Sequence, residues 1–101
     1  MEILERRKNN VVLLEVKGRL DSNTCARLEA EIDNGFNLLA TKKLVLDFSG
    51  VEYISSAALR VLLSAQKKKP ADCDFIIKSP SEFCKYVFDG TGADIFLNIE
   101  P

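Results

Sequence analysis

Hydrophobic and polar positions alternate with two different periods along this chain, and the switches between them mark its elements. Residues 2–7 mix charged and apolar side chains and predict a weak, exposed strand. Asn9-Asn10 supplies turn chemistry. The β-branched-rich run from Val11 to Val16 predicts a central strand, paired with the first as a hairpin and punctuated by Gly18. From Asp21 the period lengthens. Cys25, Leu28, Ile32, Phe36 and Leu39 recur at spacings of three and four, the stripe of an amphipathic helix with Asp21 or Ser22 as its expected cap. Glu29, Glu31 and Asp33 fall off the stripe and are expected in solvent.

Leu44-Val45-Leu46-Asp47-Phe48 predicts a short strand covered on at least one face and broken by Ser49-Gly50. A second helix is expected from Ser55–Ala57 to about Lys67. Leu59, Leu62, Leu63 and Gln66 form one row, Ala58, Val61 and Ala65 a second, and Arg60, Ser64 and Lys67 the polar side. Lys67-Lys68-Lys69-Pro70 suits a helix end, because cations complement the last turn and proline stops it. Phe75-Ile76-Ile77 predicts the fourth strand. Ser79-Pro80-Ser81-Glu82 opens a third helix with Pro80 near its first turn. Phe83, Tyr86 and Val87 are expected to face inward, and Gly90 to end the helix. Ile95, Leu97 and Ile99 alternate with Phe96 and Asn98 and predict a half-buried edge strand. The order β-β-α-β-α-β-α-β implies an α/β fold: a mixed, largely parallel sheet of about five strands with helices packed on it.

Composition narrows the function classes. The chain has 101 residues, which predicts a single domain over residues 1–101. A net charge of -1 leaves no basic surplus for nucleic acid and no polybasic tail for a membrane surface. No apolar run is long enough to span a bilayer, and residues 1–7 lack the apolar segment of a secretory signal, so a cytoplasmic protein without direct membrane insertion is expected. Cys25, Cys73 and Cys84 are odd in number and widely spaced, which reads as free thiols rather than a disulfide framework. With no histidine and no CxxC pair, a zinc site is not expected, nor is any other cofactor.

Enzyme chemistry finds little support. The lack of histidine removes Ser-His-Asp and Cys-His arrangements. No phosphate-binding GxxxxGK[ST] loop is present, and Gly90-Thr91-Gly92 reads as a turn. Asp21, Asp47 and Glu52 have no spacing that enforces a carboxylate pair. In a parallel sheet, function gathers at the carboxyl ends of the strands. Two loops qualify, Gly18 to Asn23 and Ser49 to Ser56, and they share one end of the molecule if their strands are parallel neighbours. The plain reading of Ser55-Ser56 is an N-cap, where a serine oxygen accepts a backbone N–H.

The segment Leu44-Val45-Leu46-Asp47-Phe48-Ser49-Gly50-Val51-Glu52-Tyr53-Ile54-Ser55-Ser56-Ala57-Ala58-Leu59 resembles the central motif of STAS domains. The flanks agree: Val16-Lys17-Gly18-Arg19-Leu20-Asp21 looks like the family's glycine-x-leucine-aspartate turn, and Phe88-Asp89-Gly90-Thr91-Gly92-Ala93-Asp94-Ile95-Phe96 is similar to its closing segment. The resemblance covers nearly the whole chain. Standalone domains of this kind resemble bacterial anti-sigma-factor antagonists, which bind an anti-sigma factor and free a sigma factor. The anti-sigma factor is often a serine kinase that holds the ATP and phosphorylates the antagonist, and a serine phosphatase resets it. The resemblance implies Ser56 as the phosphorylated residue, with Ser55 as the alternative. It implies a partner-binding face of Asp21, Ser22 and Asn23 beside Ser55 and Ser56, and the helix beginning at Ala57 offers Arg60 and Ser64 as candidate surface contacts. The chain departs from well-known members in carrying Ser55 where they have an acidic residue, and Ala58 where they often have glycine. The resemblance also admits two other roles, an accessory subunit of a membrane lipid-transport complex and a small-ligand-binding module.

Overall fold

The computed structural model describes residues 1–38 and 40–101. Leu39, the last position of the predicted first-helix stripe, lies outside the described residues. The elements are β1 (Glu2–Lys8), β2 (Val11–Leu20), α1 (Cys25–Asn37), β3 (Lys43–Ile54), α2 (Ser56–Lys68), β4 (Asp74–Lys78), α3 (Glu82–Thr91), a 3-10 turn (Ala93–Ile95) and β5 (Asn98–Glu100). The sheet has the order β1-β2-β3-β4-β5. The β1–β2 hairpin is antiparallel and every later pairing is parallel. The predicted mixed, largely parallel α/β sheet is therefore the observed one.

Strand alternation sets the core. Val12, Leu14 and Val16 of β2, Leu44, Leu46 and Phe48 of β3, and Phe75 and Ile77 of β4 are buried, and the rows Val12–Leu44–Phe75 and Leu14–Leu46–Ile77 run in line across the register. They join Leu28 and Ile32 of α1, Ala58, Leu62 and Ala65 of α2, and Cys84 and Phe88 of α3 in one cluster. Gly35 lets α1 approach the sheet, since a Cβ there would stand 2.8 Å from Leu44 Cδ1.

Several boundaries differ from the sequence expectation. Gly18 does not end β2, which continues to Leu20; it takes φ +98 at an irregularity of the β2–β3 pairing, a conformation that suits glycine. Ser49-Gly50 does not end β3 either. Asp21 and Ser22 do not cap α1. Its N-cap position is Thr24, without a side-chain capping bond, and the Asp21 carboxylate shapes the preceding turn instead. Pro80 stands just before the Ser81 cap of α3, and that helix ends at Gly92 in a left-handed conformation rather than at Gly90.

The inward face of α3 is also different. Cys84 and Phe88 are buried, Val87 is partly so, and Phe83 and Tyr86 are 39% and 79% exposed. The larger aromatics lose the core because Cys84 and Phe88, four residues apart, share the stripe that meets the sheet. The final alternation is interrupted by the 3-10 turn, so Ile95 and Phe96 are exposed, Leu97 is buried and only Asn98–Glu100 pair as a strand.

Burial is the largest effect on the Cys73 and Cys84 thiols and pushes both up from the ordinary cysteine value. Below the unfolded value both states hold the proton and the stabilisation is complete. Above it the unfolded chain releases protons that the folded chain keeps, so stability falls as pH rises. Urea titrations under reducing conditions are expected to show stability declining from about pH 8.5 upward, with a shallower decline in a Cys73→Ala/Cys84→Ala variant. Leu46→Ala, at a fully buried position, is expected to lower urea stability by about 2–5 kcal/mol, whereas Tyr86→Ala should change it by less than about 0.5 kcal/mol.

Candidate functional site

The site is built where β2 and β3 end together. Their pairing runs from Val11↔Lys43 to Leu20↔Ile54. Two irregularities interrupt it: Glu15↔Asp47 is followed by Lys17↔Gly50, and Gly18↔Val51 by Arg19↔Tyr53. Each step inserts one extra residue into β3, as a bulge does. The insertions turn Phe48, Val51 and Ile54, three residues apart, toward the core. The second predicted loop thereby contracts to one residue, Ser55, whose N–H donates to the Leu20 carbonyl at 2.8 Å. The two expected loops do lie side by side.

The serine pair divides its work. Ser55 is the N-cap of α2, with φ -88 and ψ 169, and its Oγ accepts the Ala58 N–H at 3.2 Å. Its carbonyl accepts the Leu59 N–H at 2.9 Å. Ser56 is the first helical residue and is exposed, with its hydroxyl outside the capping bond. Ala57 is half-buried and Ala58 fully buried beneath the turn. Arg60 is exposed four residues after Ser56, and so shares its side of the helix. The first turn of α2 carries no acidic residue of its own to offset the positive end of the helix dipole.

Across the Ser55–Leu20 bond lies the β2–α1 turn. Asp21 Oδ1 accepts the Asn23 N–H at 2.9 Å, and the Asp21 carbonyl accepts Thr24 and Cys25 N–H at 3.2 and 2.9 Å. Thr24 Oγ1 accepts the Asp21 N–H at 2.9 Å and donates to the Arg19 carbonyl at 3.0 Å. These bonds hold Ser22 and Asn23 out in solvent beside the start of α2.

Sequence reasoning missed three neighbours of this face. The Arg19 guanidinium lies over the Tyr53 ring, 4.3 Å from its centroid. Tyr53 in turn meets Phe83 of α3, with ring centroids 5.4 Å apart and planes inclined at 41°. A signal for the first pair was available: Arg19 and Tyr53 each precede the last buried residue of a parallel neighbour strand. Phe83 gave none, because its position depends on which side of α3 meets the core. Among the described residues, no group of three metal-ligating side chains is assembled, and no helix is long and apolar enough to cross a membrane.

Residues 3–98 match the family model described as Mlab, STAS domain. The chain belongs to the STAS domain family. Solved STAS structures share its fold. An anti-sigma factor antagonist from Mycobacterium paratuberculosis superposes with a TM-score of 0.89 at 24% identity, covering 99% of this chain and 85% of that one. The anti-sigma factor antagonist SpoIIAA in its unphosphorylated form gives 0.79 at 17% identity, over 97% and 87% of the two chains. The Bacillus cell fate determinant SpoIIAA in its phosphorylated form gives 0.72 at 17%, over 97% and 90%. These likenesses establish the fold of anti-sigma factor antagonists, and the names belong to those proteins.

The division between the two serines has a direct test in urea unfolding. Ser55→Ala, which removes the cap, is expected to lower stability by about 1 kcal/mol. Ser56→Ala should stay within about 0.5 kcal/mol of the unaltered protein.

Proposed function

We propose that this STAS domain is a protein-binding switch of the anti-sigma-factor antagonist kind, not an enzyme, and that phosphorylation of Ser56 turns it off. The observation that carries this reading is the exposed Ser56 hydroxyl at the start of α2, beside a neighbouring serine that already serves as the cap. The unmodified face, formed by Asp21, Ser22, Asn23, Ser55, Ser56, Ala57 and Arg60, docks an anti-sigma factor and releases a sigma factor. That anti-sigma factor is a serine kinase which binds the ATP. The Ser56 oxygen takes the γ-phosphoryl group, ADP departs and the hydroxyl proton is lost; a serine phosphatase later hydrolyses the ester. Ser56 is preferred to Ser55 as acceptor because the Ser55 Oγ is engaged in the capping bond and the Ser56 hydroxyl lies outside it.

A phosphate brings roughly -1.5 to -2 charges. At the amino end of α2 it meets free backbone N–H groups and the favourable end of the dipole. It therefore leaves the fold intact and acts at the interface, where burying the added charge opposes docking. A loss of about 3 kcal/mol weakens an affinity more than a hundredfold. Support comes from SpoIIAA, whose unphosphorylated and phosphorylated forms both share the fold of this chain.

A second reading, which the STAS resemblance also admits, is an accessory subunit of a membrane lipid-transport complex; the matching family model is described as Mlab, STAS domain. The same face would then dock a transporter subunit.

Incubation with the anti-sigma kinase encoded in the same genome and ATP separates the two. Intact mass and peptide sequencing are expected to show one phosphate on Ser56, absent from Ser56→Ala, with loss of kinase binding. Ser56→Asp should keep the far-ultraviolet circular dichroism of the unaltered protein. Tight binding without phosphate would leave a constitutive docking module, and absence of both events would favour the transport reading.

A further inference from the structure

The geometry points to Arg19 as the anchor for a carboxylate of the docking partner, so that this face fits a protein surface presenting an Asp or Glu beside an apolar side chain. The inference rests on the reading of this face as partner-binding and names the chemistry of what it binds. Three observations carry it.

The first is that Arg19 has no carboxylate within hydrogen-bond distance among the described residues. Its side chain is 60% exposed, and its Nε stands 3.8 Å from Asp21 Oδ2, too far for a hydrogen bond. The other Asp21 oxygen is held by the Asn23 N–H. Among the described residues no other carboxylate forms an ion pair with Arg19. Its planar fork is therefore free to take a carboxylate through two parallel N–H···O bonds.

The second is that the fork is already oriented. The guanidinium lies over Tyr53, and Tyr53 is braced by Phe83. The Arg19 carbonyl accepts the Thr24 hydroxyl, which fixes the backbone beneath it. A place over an aromatic face is one that arginine takes more often than lysine, and its planar fork is one that lysine lacks. This placement removes motion that binding would otherwise have to freeze. The half-buried Tyr53 ring and the partly exposed Phe83 ring supply an apolar border. An arginine set among aromatic side chains is the composition that carries most of the energy in protein interfaces.

The third is position. Arg19 precedes and Ser56 follows the two residues joined by the Ser55 N–H···Leu20 O=C bond. A phosphate on Ser56 sets a dianion at the junction of the two strand ends, one residue beyond the bond that Arg19 precedes. The switch then works by like-charge repulsion across the interface, with no change in the fold.

Calorimetric titration with the purified anti-sigma kinase tests this. Arg19→Glu is expected to weaken binding about a hundredfold or more. Arg19→Lys keeps the charge but loses the planar fork, and should weaken binding about tenfold. Added salt should weaken the unaltered protein more steeply than Arg19→Glu. Circular dichroism checks that each variant folds, and Arg19→Lys decides the matter should Arg19→Glu fail that check. Binding by the folded variants within about threefold of the unaltered protein, with Ser56 phosphorylation still releasing the kinase, would overturn the Arg19 assignment and leave the switch standing. Absence of kinase binding by the unaltered protein would overturn both.

Discussion

Parallel pairing of β2 with β3 is the constraint on which the rest of this structure depends. The two strands finish together, at Leu20 and Ile54, only because β3 takes in two extra residues along the way. Were β3 regular, Phe48, Val51 and Ile54 could not all point into the core. The Ser55 N–H would not meet the Leu20 carbonyl, and the start of α2 would swing away from the Asp21 turn. A core-packing requirement thus fixes the placement of a surface. Leu20 and Ile54 are both buried, so the residues on either side of them are anchored to the packed core.

The sheet is unequal on its two faces. Val12, Leu14 and Val16 and their partners face the helices, while Leu13, Val45 and Ile76 occupy the alternate positions. Val45 and Ile76 are nearly as buried as the core but stand outside its main cluster. That side of the sheet also carries exposed ion pairs between strands, such as Arg6–Glu15 at 2.9 Å. Such exposed pairs add little stability, so the helix-covered face dominates the energetics.

The element order and the parallel sheet were legible in the sequence because periods of two and of three to four are separated by clear turn residues. The adjacency of the two loops followed from that order, and the STAS resemblance assigned their roles. Where the reading stopped, a tertiary contact had overruled a local signal. Gly18 and Ser49-Gly50 look like strand ends, yet the pairing of β2 with β3 continues through both. Phe83 and Tyr86 look like core residues, yet the smaller Cys84 fits beneath α3 and leaves Phe83 to brace Tyr53. The division between Ser55 and Ser56 was not readable either, since a one-residue shift of the helix start exchanges their roles.

That helix start has a chemical consequence of its own. An aspartate could cap this helix as Ser55 does. A carboxylate acceptor weakens as it takes up a proton, whereas a serine hydroxyl has no proton equilibrium in the range where proteins function. The Ser55–Ala58 bond therefore keeps the same strength in acid and at neutrality. The first turn of α2 is held by a bond indifferent to acidification, and its electrostatic character changes only when charge is brought to it from outside.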